Sequence, residues 1–164
     1  MPITNFPNGI SSFGVPQIGG SIPSTTGNVR FVGSTKSGAS NGNSGKDPDH
    51  AWSTMAYAAG KMTANQGDIV IVMPGHVETV TAAAGLAHSV AGVTWFGIGS
   101  GSLVPMVNFT TAVGADMDVD EANTVMYNFQ FTGGIDALTG PIDINAAGCS
   151  LINILTKDVT GCQC

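Results

Sequence analysis

Charge is scarce in this chain: of its 164 residues only 10% are charged, and only five are Lys or Arg. Arg30, Lys36, Lys46, Lys61 and Lys157 are scattered, so they cannot form the basic stripe that a phosphate backbone requires, and a net charge of −6 repels one. Nucleic acid is not an expected partner. Long apolar runs are lacking too. The best of them, Asp68-Ile-Val-Ile-Val-Met73, falls far short of the ~20 residues that cross a bilayer. The N-terminus has no basic-then-apolar-then-small order of a signal peptide, so neither membrane nor leader is expected. Cysteine is limited to Cys149, Cys162 and Cys164, which excludes a disulfide framework. Cys162 and Cys164 have no second ligand pair with which to build a tetrahedral metal site. Aromatics are thin, with two Trp and two Tyr, which leaves little for an aromatic-lined sugar groove.

What the chain has instead is glycine, at 23 positions, a 43% hydrophobic content, and a repeat. Val90-Ala-Gly-Val-Thr-Trp-Phe-Gly-Ile98, Glu121-Ala-Asn-Thr-Val-Met-Tyr-Asn-Phe129 and Ala146-Ala-Gly-Cys-Ser-Leu-Ile-Asn-Ile154 align without gaps, their starts 31 and 25 residues apart. Gly92, Asn123 and Gly148 coincide, and these residue types best tolerate a left-handed backbone turn. A strand follows in which Phe96, Tyr127 and Ile152 share a column. Turn-then-strand units at this period are the mark of a parallel β-helix, whose successive coils stack strand on strand. Gly97, Asn128 and Asn153 form a second column, placed to build a structural ladder at the inter-strand spacing of about 4.8 Å.

Residues 1–28 read as an extended arm. Pro2, Pro7, Pro16 and Pro23 break regular structure, while Ile3, Phe6, Ile10, Phe13, Val15 and Ile18 are too apolar for a solvated linker. They require a surface, either a partner's or the chain's own solenoid. Residues 29–164 read as the β-helix domain. A strand at 28–32 and a polar loop at 33–49 lead to a capping helix near 49–62, with Asp49 as N-cap and Ala51, Met55, Ala58, Ala59 and Met62 at helical spacing. Strands are expected at 68–73, 77–81, 86–90, 93–98, 104–109, 116–120, 124–131, 141–145 and 149–156, about three coils in all. The helix would cover the first coil, since an open strand edge invites unwanted pairing.

The segments Asn41-Gly-Asn-Ser-Gly-Lys-Asp-Pro-Asp-His-Ala-Trp-Ser-Thr-Met55 and Asn65-Gln-Gly-Asp-Ile-Val-Ile-Val-Met-Pro-Gly-His-Val-Glu78 resemble the start of right-handed parallel β-helix proteins of the pectin-lyase-like type. The opening Thr4-Asn-Phe-Pro-Asn-Gly-Ile-Ser-Ser-Phe-Gly-Val-Pro16 resembles the N-terminus of structural proteins encoded among tailed-phage head genes. Together the likeness covers nearly the whole chain. It implies an all-β, right-handed β-helical virion protein, assembled in the host cytoplasm and carried on the outer surface of the capsid. It also implies that the arm contacts major capsid protein and that copies assemble as a homotrimer.

Several sites need weighing. Asp116, Asp118 and Asp120 alternate with Met117 and Val119 and so share a strand face. A shift of 25 residues sets Asp118 against Asp143 and Asp120 against Asn145. Stacked carboxylates about 5 Å apart repel, which raises one pKa or draws in a cation, and makes Asp118 and Asp143 a weak Ca²⁺ candidate. Grouped acids also serve polysaccharide cleavage, but a lyase needs a neighbouring base and only Lys157 is near. His76-Val-Glu78 has half of a zinc deaminase motif without its Pro-Cys-x-x-Cys, and reads as a turn. Gly97–Gly101 and Gly42–Lys46 lack full Walker spacing and read as corners. His88 falls in an inward column, as a hydrogen-bonded core histidine. The expectation is a non-enzymatic capsid decoration or cement protein with no cofactor. Its competitor is a tailspike-like β-helix that binds or cleaves polysaccharide.

Overall fold

The computed structural model describes residues 25–157, together with the backbone of two short antiparallel strands, β1 (Ser11–Ser12) and β2 (Val15–Pro16). Ten further strands follow: β3 (Val29–Val32), β4 (Ile69–Val72), β5 (Val77–Val80), β6 (Leu86–His88), β7 (Thr94–Gly97), β8 (Met106–Phe109), β9 (Met117–Val119), β10 (Val125–Gly133), β11 (Ile142–Ile144) and β12 (Ser150–Lys157). All pairings among β3–β12 are parallel, so the chain is an all-β protein built of parallel sheets. Every strand expected from the sequence is present, most of them trimmed by a residue or two.

Three columns of strands organise the chain. The first runs β3, β4, β7, the first half of β10, and β12. The second runs β5, β8, the second half of β10 and again β12. The third is a separate sheet of β6, β9 and β11. The chain visits the columns in the same order each time: β4, β5, β6, then β7, β8, β9, then β10 and β11. The first column holds five strands, and the chain passes through all three columns three times.

Local chemistry explains the bends. Asn65, Gly92, Asn123 and Gly148 stand in one corner column with φ of 57°, 74°, 60° and 73°, a region that Gly and Asn enter at little steric cost. The backbone ties this corner from level to level: Gly92 N donates to Ala122 O (2.9 Å) and Asn123 N to Ala147 O (3.0 Å). Within β10 and β12 a second left-handed residue, Asn128 (φ 61°) or Asn153 (φ 52°), turns the strand from the first column into the second.

Alternation along each strand sends one set of side chains inward. Val70, Val72, Trp95, Met126, Val107, Phe109, Phe131, Leu86, Met117 and Val119 belong to one continuous core cluster. Phe96 and Tyr127 are opposite each other in register, and Tyr127 opposite Ile152, but on the outward side. Their rings stack at 5.0 Å with an interplanar angle of 4°.

The capping segment differs from expectation. No helix spans 49–62: Pro48–His50 is a single 3₁₀ turn capped by Asp47, and the α-helix, α1, is limited to Met55–Ala59 with Thr54 as N-cap. The cause is strand pairing. Trp52 is drawn out as an extended residue against the free edge of β3, with Trp52 N donating to Phe31 O (2.9 Å) and Gly33 N to Trp52 O (2.8 Å). Its indole is buried and donates to Asn43 O at 2.8 Å. Gly45 lies so close that a Cβ there would meet the indole at 2.5 Å, so the glycine-rich loop is what admits this side chain. The covering function is shared: the loop closes the β3 edge, and α1 lays Met55, Ala58 and Ala59 on the core.

Candidate functional site

The acidic row sits on the third column. Asp118 of β9 is in register with Asp143 of β11, and Asn145 Nδ2 donates to Asp120 Oδ1 at 3.2 Å. Partial burial raises the pKa of Asp118, and the like charges of Asp116, Asp120 and Asp143 push in the same direction. Asp116 is itself engaged, accepting from the backbone N–H of Ala84. Among the described residues no three His, Cys, Asp or Glu side chains converge to hold a metal ion, so the Asp118–Asp143 pair lacks further side-chain ligands. The cation closest in sequence, Lys157, lines a different feature, a cavity of about 260 Å³ walled by Phe109, Phe131, Leu138, Pro141 and Ile142. Carboxylates and aromatics are also kept apart: the acids face out from the third column, whereas the stacked Phe96–Tyr127 pair faces out from the first. One groove cannot use both.

The ladder column is a set of linked hydrogen bonds. Asn153 Nδ2 donates to Asn128 Oδ1 (2.8 Å), and Asn128 Nδ2 donates to the carbonyls of Gly97 (3.0 Å) and Gly99 (3.1 Å). Gly97 is held to glycine by crowding, since a Cβ there would lie 2.2 Å from Asn128 O. Replacing Asn128 by Ala removes the amide and also forces an alanine into the left-handed region. We expect a loss of about 2–3 kcal/mol, with Asn128→Gly recovering roughly 1 kcal/mol by relieving only the backbone. Urea unfolding of the three proteins checks this; equal stability of the Ala and Gly variants would show that the backbone conformation contributes nothing.

Two buried polar groups were misread from sequence. His76 and Glu78, which read as a turn, are buried together, His76 Nε2 lying 3.1 Å from Glu78 Oε2. Ser34 N donates to His76 Nδ1 (2.9 Å), which places the ring proton on Nε2 and makes that nitrogen the donor to Glu78. The Glu78 carboxylate also accepts from Met55 N (2.8 Å) and Ala56 N (3.2 Å), the first free N–H groups of α1. The signal was available: Glu78 shares the inward face of β5 with Val80. Asp68, buried at the first-column corner, similarly accepts from Asn28 N (2.7 Å) and Thr63 N (2.8 Å). All three are saturated by structural partners.

His88 is buried but, contrary to expectation, neither ring nitrogen has a hydrogen-bond partner. It packs edge-on against Trp95 at 4.7 Å. The strand above supplies only valine, because His88 is in register with Val119. Burial pushes its pKa down to about 4.

Cys149 is half-buried at the core margin, its Sγ directed to Glu121 O at 3.5 Å. Gly42–Lys46 belongs to the loop that closes β3, and Gly101–Leu103 forms a 3₁₀ turn. Ile3, Phe6, Ile10, Phe13 and Ile18 lie outside the described residues, as do Cys162 and Cys164, and Val15 is described only in its backbone. No protein-family model, curated protein or solved structure matches this chain.

Proposed function

We propose that the chain is a short right-handed parallel β-helix that serves, without enzymatic activity, as a decoration protein on the outer surface of a tailed-phage capsid. The arm of residues 1–28 holds major capsid protein, and copies of the solenoid associate as a homotrimer. The observation that carries this reading is the set of exposed apolar side chains on the last described strands: Ile144 of β11 and Ile152 and Leu155 of β12 are exposed at 45%, 46% and 53% and are suited to contact with protein. The opposite end is closed by the 45–52 loop and α1. Burial of the exposed apolar side chains between copies would contribute roughly 25 cal/mol per Å² before the entropy of association is subtracted.

The stacked Phe96–Tyr127 pair favours a second reading, a tailspike-like polysaccharide-binding protein, because ring faces suit sugar faces. The separation of that pair from the acids argues against cleavage.

Co-sedimentation with phage heads tests the first reading. The full chain is expected to pellet with heads and a chain lacking residues 1–20 to remain in solution; binding retained by the shortened chain counts against it. Native mass spectrometry should find a three-chain species, and a monomer both free and on particles would remove the trimer. Product released from pectate, capsule or lipopolysaccharide, and lost in Asp118→Asn, would replace this reading with an enzyme.

A further inference from the structure

The inward positions of the second column are filled level by level until one is left without a side chain. Val80 of β5 stands in register with Phe109 of β8, and Phe109 with Gly133 of β10. Val80 and Phe109 are each 1% exposed and belong to the core, so the place they fill on two levels is bare at the buried Gly133. The neighbouring inward position shrinks one level on, where Thr156 of β12 stands in register with Phe131. What these side chains leave is the cavity of about 260 Å³ walled by Phe109, Phe131, Leu138, Pro141 and Ile142.

Its size, lining and charge decide what it admits. An apolar hole of about 150 Å³ is enough for benzene, so this one has room for a benzene ring and a short chain beyond it. Phe109 and Phe131, their ring centroids 6.2 Å apart, supply aromatic surface for a ring to pack on. Leu138 is buried in the core beside them. Charge enters only with Lys157, exposed at the end of β12, whose four-carbon stem carries its ammonium to the mouth. Among the described residues Lys157 forms no ion pair, and no carboxylate is among those that line the cavity. A cation would meet no counter-charge there, and a plain hydrocarbon would leave the ammonium unused. An anion on an apolar stem satisfies both.

We propose that this cavity binds a small aromatic carboxylate. The ring takes the place of the side chain missing at Gly133, against Phe109 and Phe131, and the carboxylate accepts from the Lys157 ammonium. The site shares no residue with the acidic row or with the Phe96–Tyr127 pair, and it stands whether or not a capsid is the molecule's support.

The test uses the full chain with isotope-labelled Leu and Ile methyl groups, and hydrocinnamate as the probe. Titration should give saturable shifts of the Leu138 and Ile142 methyl signals, with nuclear Overhauser contacts from the phenyl ring to both. Lys157→Gln should weaken hydrocinnamate roughly tenfold and leave the uncharged hydrocinnamyl alcohol unchanged. Gly133→Phe restores the side chain that Phe109 supplies one level below, at an extended strand position, and should abolish binding while circular dichroism shows the same folded spectrum. Undiminished binding to a folded Gly133→Phe, or equal affinity of the wild type for the acid and the alcohol, overturns the proposal. Contacts in the free protein from residues 158–164 to the rings of Phe109 and Phe131 also overturn it, since the chain would then fill its own cavity. Should Gly133→Phe fail to fold, the wild-type titration decides: methyl shifts that are absent, or that fall only outside Leu138 and Ile142, overturn the proposal.

Discussion

Glu78→Ala should destabilise the protein by about 4 kcal/mol, a large part of the roughly 5–15 kcal/mol that holds a domain of this size together. The carboxylate accepts from Met55 N, Ala56 N and His76 Nε2. Its removal orphans three buried or half-buried donors at about 1–3 kcal/mol each. The damage should spread, because His76 also accepts from Ser34 N and α1 covers the core through Met55 and Ala58. Glu78→Gln should be milder, since one acceptor oxygen survives while its amide N–H₂ faces another donor. Urea titration followed by tryptophan fluorescence measures both. A loss below about 1 kcal/mol for the alanine variant would show that water replaces the carboxylate.

Acid should weaken the fold through His88. The ordinary histidine pKa of 6.5 applies to the unfolded chain, whereas burial holds the folded value down at about 4. The folded state resists the proton, so the stabilisation is fully present above pH 6.5 and is lost as pH falls from there toward 4. The shift corresponds to about 3 kcal/mol across that window. Nothing charged offsets it, because the small void beside the ring is lined by Ala59, Ser89, Val90, Val93 and Trp95. Asp118 acts in the opposite sense, its raised pKa favouring the protonated folded form, but it is only half-buried and its effect is screened. The difference in unfolding free energy between wild type and His88→Leu, followed from pH 7 to pH 4, isolates the imidazole. A difference that stays constant with pH would mean that the ring is solvated or hydrogen-bonded in solution.

The strand columns were legible in the sequence because the corners repeat. Gly92, Asn123 and Gly148 fixed the register that places Phe96, Tyr127 and Ile152 side by side, and a shift of 25 residues correctly set Asp118 against Asp143 and Asp120 against Asn145. Two further copies of the unit, at 27–32 and 67–72, went unseen. They are separated by 40 residues that hold the whole capping loop, and Ile69-Val-Ile-Val72 is apolar on both faces, so it shows no alternation to align. The sequence pattern also gave the column of Phe96 and Tyr127 without its direction; that follows only once Trp95 and Met126 are known to fill the core. The helix boundaries failed for a different reason. Helical spacing from Ala51 to Met62 was real, but pairing of Trp52 with β3 overrode it, as tertiary contacts commonly override local propensity. His88 was placed correctly as buried, while its lack of a partner depends on neighbours in three dimensions that no spacing reveals.

Because, among the described residues, each strand from β4 onward pairs with strands one level before or after it, the molecule behaves as a row of dominoes rather than a keystone arch. A whole 25-residue unit, such as the one that starts at Val125 and brings Ser150 into register with it, could be duplicated or removed with the corner hydrogen bonds simply re-formed between the levels that then meet. A deletion of half a unit has no such remedy, since it would carry the third column into the place of the first. The number of levels can therefore change in whole steps only, and the height of the stack changes by about 4.8 Å with each step.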